Sequence, residues 1–219
     1  MSEVEFLLWV RGPGLVIAVA VSVLGWLLRL VEIYGTGRKG DVAPPRDPTP
    51  GSGWRTVLSR SVPTRGMRKH SPVSLVGGYI FHLGLFITFF LSIPHIEFIR
   101  GIFGFGWPGL PSPLVDFVAV ITWITLLVVL VSRLTDRVKR FLSDWADYWA
   151  WLVTFLPVLT GWMAYHHVLL SYTTMLAIHI LAVEVLLISL PFGKLSHLAT
   201  LWVSRWYNGD SFARKGVAS

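Results

Sequence analysis

Cysteine is absent from the sequence, and that one absence excludes disulfides, thiolate zinc sites, iron–sulfur ligation and haem attached covalently through a C-x-x-C-H motif. Charge is scarce too: only 14% of residues are Asp, Glu, Lys or Arg, against about 25% in a typical soluble domain. No phosphate loop, H-E-x-x-H motif, nucleophile elbow or internal repeat occurs. What remains is 53% hydrophobic residues and a mean hydropathy of +0.62, a composition that argues against a water-soluble fold. The net charge of +7 therefore reads as loops held on one side of a membrane, not as a nucleic-acid signal.

Crossing a hydrocarbon core ~30 Å thick takes roughly 20 apolar residues in a helix. Five segments qualify: Pro13–Tyr34, Val73–Ile93, Leu114–Val131, Tyr148–Leu169 and Thr173–Leu190. None alternates as a barrel strand would. The expected fold is thus an all-α membrane protein of five transmembrane helices, forming a single domain over residues 1–219. The first span is expected to be retained, since acidic residues precede it and no small-residue cleavage site follows.

Seventeen of the nineteen Lys and Arg residues fall on one side of this topology, leaving Arg11 and Arg100 on the other. The positive-inside rule then places the N-terminus outside and the C-terminus in the cytoplasm of a cell's inner membrane. Trp9, Trp107, Trp145, Trp202, Trp206 and Tyr207 lie near span ends, as an aromatic belt requires. The basic connection over residues 35–71 is rich in Pro, Gly and Ser and shows no apolar period. It reads either as a solvated loop against anionic headgroups or as a strap for a cytoplasmic partner. Residues 192–219 form a basic cytoplasmic tail. Arg100–Pro113 reads as a re-entrant or interfacial loop, and Leu134–Trp145 as an amphipathic interfacial helix pairing Asp136 with Arg140.

Ionisable residues inside a membrane are costly and mark function by default. His82 lies mid-span in the second helix, His179 within the fifth, and His197 at the cytoplasmic end of the fifth. On one continuous helix His179 and His197 share a face about 27 Å apart, subject to a kink at Pro191. That separation suits two stacked cofactors and not one compact metal site. Gly77, Gly78 and Gly84 thin the second helix, so that a flat macrocycle could pack on its backbone. The alternative is that each histidine makes an interhelical hydrogen bond. Glu184, five residues past His179, points away from that ring by about 140° and reads as an ion-pair partner or a proton-path group. His166 and His167, at the outer end of the fourth helix, read as hydrogen-bond and proton partners of a quinone oxygen or as wetted interfacial residues.

The runs FHLG at Phe81–Gly84, IPH at Ile93–His95 and PFGKLSH at Pro191–His197, with seventeen residues between His179 and His197, resemble the respiratory nitrate reductase gamma-subunit family. The tail RWYNGDSFARKG is similar to shorter members that accompany heterodisulfide-reductase-like iron–sulfur proteins. The resemblance implies a five-helix anchor carrying two b haems. It makes His82 and His197 the axial pair of the haem nearer the cytoplasm, and His179 a ligand of the outer haem. The family's second histidine, ten residues after the first, is here Ser92. His95 replaces it, or one of His166 and His167 does, or the second bis-histidine haem is lacking. On an ideal helix His95 is rotated about 220° from His82, a conflict that a break at Pro94 would relieve.

The expected function is a membrane cytochrome b subunit passing electrons between quinone and a cytoplasmic iron–sulfur subunit. A haem-free proton channel or transporter, and a single-haem anchor, are the alternatives.

Overall fold

Prolines mark where three of the helices begin. In the computed structural model, which describes residues 1–35, 46, 52–63 and 65–217, Pro72, Pro94 and Pro113 each sit in the first turn of a helix, where a missing N–H leaves no partner behind. The described residues form no strand. The helices are α1 (Glu3–Gly35, with a π-turn at Val10–Gly14), α2 (Ser52–Ser59), α3 (Arg65–His70), α4 (Pro72–Phe90) and α5 (Ile93–Phe103). They continue as α6 (Ser112–Thr135), α7 (Arg137–Leu142), α8 (Trp145–His166), α9 (Tyr172–Ser189) and α10 (His197–Arg214).

Four of these, α1, α4, α6 and α9, are long and apolar enough to cross a membrane, which makes the chain a multi-pass membrane protein. The fourth expected span is also a helix, the 22-residue α8. It is long enough, but its tryptophans, tyrosines, threonines and Asp147 leave it less apolar than the other four.

The long helices pack in a row, α4 on α6, α6 on α8, α8 on α9 and α9 on α1. Leu126, Phe155 and Val158 form the buried centre of the row, with Phe81, Leu85, Trp123 and Trp151 around them. Glycine permits the tightest of these approaches. A Cβ on Gly84 would fall 1.9 Å from Thr122 Oγ1, and one on Gly77 2.7 Å from Val129 Cγ2. These two glycines are therefore filled by α6 and leave no face for a macrocycle, contrary to the sequence reading. Only Gly78 of the three is open.

At the basic end, α2 packs on α10, with Gly53 under the Trp206 ring and Thr56 and Val57 fully buried. The Tyr79 hydroxyl donates to the Ser61 carbonyl (2.7 Å), and Arg205 donates to Ser61 Oγ (3.0 Å). The connection expected to lack structure thus contains two helices. Residues 36–45, 47–51 and 64, the greater part of the expected docking strap, lie outside the described residues.

Leu134–Trp145 is not one amphipathic helix. It is the end of α6, the six-residue α7 and a turn. Asp136 caps α7, accepting from the Val138 and Lys139 N–H groups, and its ion pair is with Lys139 at 3.9 Å, not with Arg140. At the opposite end α5 stops at Gly104, in the left-handed region at φ 77°, and the following loop folds back. There the Trp107 indole donates to the Phe90 carbonyl (2.6 Å) and the Leu110 N–H to the Leu91 carbonyl (2.9 Å), satisfying acceptors that the end of α4 leaves free.

Candidate functional site

Four of the seven histidines meet in two pairs, one between α4 and α10 and one between α5 and α9. His82 on α4 faces His197, the first residue of α10, with ring centres 6.0 Å apart and planes at 78°. His95 on α5 faces His179 on α9, with centres 6.1 Å apart and planes at 26°.

His95 reaches this position because α4 does not continue. It ends at Phe90, Leu91 and Ser92 leave the helical region, and Pro94 opens α5 in a new direction. The chain likewise breaks at Pro191, and a 3-10 turn (Gly193–Ser196) precedes His197. His179 and His197 are therefore not on one helix, and the shared face inferred from their spacing does not exist. From α1, the Arg29 side chain donates to the Pro191 carbonyl (2.8 Å), while Gly25 makes room for the Pro191 ring. From α8, Asp144 and Asp147 bind the Lys194 ammonium, and Arg133 also reaches Asp147.

The second ring nitrogen of each histidine has a fixed task. Nδ1 of His82 donates to the Gly78 carbonyl (2.7 Å), Nδ1 of His95 to the Thr88 carbonyl (2.9 Å) and Nδ1 of His197 to the Lys194 carbonyl (2.7 Å). A carbonyl only accepts, so Nδ1 carries a proton in all three, which in the neutral ring leaves the Nε2 lone pair bare. His179 Nδ1 lies 3.3 Å from Thr160 Oγ1, whose own proton goes to the Leu156 carbonyl (2.7 Å), so the hydroxyl oxygen accepts here as well. Metal-binding histidines nearly always direct their other nitrogen to such a partner.

The distances fit an ion held between the rings. A metal–imidazole bond is about 2.0 Å and the nitrogen lies about 1.1 Å from its ring centre, so two trans imidazoles have centres roughly 6.2 Å apart. Rotation about the nitrogen–metal–nitrogen axis leaves that distance unchanged, so either interplanar angle is compatible. Among the described residues no three His, Asp or Glu side chains converge on one point. Each pair therefore brings two imidazoles together without a third such side chain.

The two pairs stand at different levels. Their anchoring carbonyls on α4, Gly78 and Thr88, are ten residues apart, about 15 Å along the axis. His82 and His197 are exposed in the protein although His82 lies mid-helix, and α4 and α9 do not pack on each other along their lengths. Gly161 on α8 is a site residue that the sequence reading missed. A Cβ there would lie 3.0 Å from His179 Cε1 and 3.2 Å from its Nδ1, so the ring rests on the glycine backbone. Nothing in the local sequence of α8 marks it, because the ring arrives from 18 residues away.

The other expected site residues stand apart from the pairs. His166 Nε2 binds Asp116 Oδ1 (2.7 Å), and Asp116 is an acid within the third expected span that the sequence reading passed over. His167 ends α8 in the left-handed region (φ 55°) and stacks on Tyr172. Neither is paired with His179. Glu184 is buried against α1.

No family model and no solved structure matches the chain. A protein of Nitratidesulfovibrio vulgaris (strain Hildenborough), named only "Protein", is 31% identical over 147 residues. The match covers 67% of this chain and 65% of that relative, whose name carries no activity.

Proposed function

We propose that this chain is the membrane cytochrome b subunit of a multi-subunit oxidoreductase of the nitrate reductase gamma-like type. In this reading His82 with His197, and His95 with His179, each hold one haem b, and the subunit moves electrons between membrane quinone and a cytoplasmic iron–sulfur partner. The observation that carries it is the pairing itself: two facing imidazole pairs, each with Nδ1 tied back and Nε2 bare. Two imidazoles without a third protein donor would suit haem, which brings its remaining ligands with it, and with no cysteine in the chain it would be held non-covalently.

When bound, haem iron supplies reversible one-electron chemistry. The chain's own residues do the rest. The carbonyls of Gly78, Thr88 and Lys194 orient the rings and raise ligand basicity. Gly161 seats His179, and Gly78 keeps the helix surface beside His82 open. The exposed Arg55, Arg65, Arg68, Lys69 and Arg140 would steer an acidic surface of the iron–sulfur partner to the basic end. The relay beyond the histidines must come from that partner, since the chain has no thiolate of its own.

Five crossings, with the N-terminus outside and α8 as the fourth, go with this reading. α8 packs between α6 and α9, and 22 residues give about 33 Å of helix. The membrane is then the inner, cytoplasmic one by the positive-inside rule.

The test is a reduced-minus-oxidised visible spectrum of the purified chain with haem quantified per polypeptide. Two b-type haems are expected. His82→Ala and His197→Ala should remove one of them, His95→Ala and His179→Ala the other. A spectrum without b-type absorbance sinks the reading, and loss of the same haem in His82→Ala and His179→Ala refutes the pairing.

A further inference from the structure

We propose that Glu184, together with the π-turn of α1, forms an intramembrane proton-exchange site separate from the paired histidines. Glu184 is 4% exposed and lies twelve residues into α9, about 18 Å along the axis from Tyr172. Its Oε1 is buried and has no hydrogen-bond partner. The carboxyl is pressed against α1, where a Cβ on Gly14 would fall 2.8 Å from Oε1 and 3.1 Å from Oε2, with the Trp9 ring at 3.1 Å from the same point.

No cation faces the group. On α1, Arg11 is exposed, Glu3 and Glu5 lie more than two turns before Gly14, and Arg29 is paired with Glu32. On α8, Asp147 is bound by Arg133 and Lys194, and His166 by Asp116. On α9 itself, His179 is about 140° round the helix. An ionised carboxyl at this depth would be a buried charge without a counter-charge.

The π-turn makes the room that the carboxyl fills. Pro13 has no N–H, and the π-turn steps over it, with the Leu15 N–H bonded back to the Val10 carbonyl. A neutral carboxyl carries no charge to be compensated, whereas a carboxylate only accepts, and no donor stands beside Oε1. Val10–Gly14 (VRGPG) thus combines a glycine that admits the side chain with a widened turn around a proline, the kind of π-bulge found at functional sites.

Infrared spectroscopy of the purified full chain in liposomes tests this. The wild type should show a protonated-carboxyl C=O stretch at neutral pH that shifts in D2O and is lost in Glu184→Gln. If that variant fails to fold, labelling the wild type with 13C-glutamate makes the same assignment, because the other four glutamates are exposed. Absence of the band, or a band that never shifts in D2O, overturns the proposal. The readout needs no haem, so its failure is separate from failure of the cytochrome reading.

Discussion

Gly84→Ala perturbs the tightest helix contact in the bundle and does so two residues from His82. The added Cβ would lie 1.9 Å from Thr122 Oγ1, 3.0 Å from its Cβ and 3.2 Å from its Cγ2. Ordinary contact between such atoms begins near 3.5 Å, so roughly 1.6 Å of overlap must be relieved. Thr122 has little freedom to give way. It is fully buried and its hydroxyl donates to the Val118 carbonyl at 2.7 Å, a bond worth about 1 kcal/mol. Either that bond breaks or α4 retreats from α6, and overpacking of this kind costs about 1–3 kcal/mol.

The assay is denaturant unfolding in detergent for the two single variants and the double variant. Thr122→Ala removes Oγ1 and Cγ2 and leaves only the 3.0 Å contact, so Gly84→Ala/Thr122→Ala should recover about 1 kcal/mol of the loss expected from adding the singles. A neutral Gly84→Ala, or strict additivity in the double variant, would refute the α4–α6 packing derived above. In the cytochrome reading, the same displacement should alter the spectrum of the His82–His197 centre and spare the other.

Gly161→Ala should push the His179 ring off its seat at a cost of about 1 kcal/mol, changing the spectrum of the His95–His179 centre alone; an unchanged spectrum means that the ring has slack. The Lys194 ammonium holds the Asp144 carboxyl below its ordinary value, and Asp147, then Asp144, raise Lys194. Their contribution is therefore fully present between the ordinary values of 3.8 and 10.5, lost below the lowered Asp144 value and lost above the raised Lys194 value. Melting curves should show Lys194→Ala less stable than wild type inside that window and equal to it at the acid extreme, and a pH-independent difference would count against the bridge. Asp116→Asn should cost under about 1 kcal/mol by thermal melting, since its pair with His166 is half-exposed; a larger loss would give the pair a role beyond the surface.

The helices and the histidines were legible because both signals are local. An apolar run of span length is visible without knowing its neighbours, and so is an imidazole inside one. The break before His95 was legible for the same reason, since a proline and a conflicting rotation sit within thirteen residues. Gly161 and Gly14 were not legible, because the side chains that require them come from 18 and 170 residues away. Gly77 and Gly84 were legible as thin places, but their sequence does not say what fills them, and α6 does. The helices of the basic connection were hidden because α2 and α3 are short, and α2 buries Thr56 and Val57 only against the distant α10.

The break at Pro191, which overturns the shared-face reading, is also what brings the second pair to its level. On α4 the two anchoring carbonyls are separated by about 15 Å. From His179 to the end of α9 at Ser189 is ten residues, again about 15 Å. A continuous helix would carry His197 on to about 27 Å from His179, overshooting the level of His82 by roughly 12 Å. Turning the chain at Pro191, and holding the turn by Arg29 from α1 and by Asp144 and Asp147 from α8, stops the climb where His82 stands. The eighteen-residue spacing is therefore not a helical register. It is one helix plus one corner, and the corner sets the distance between the two pairs.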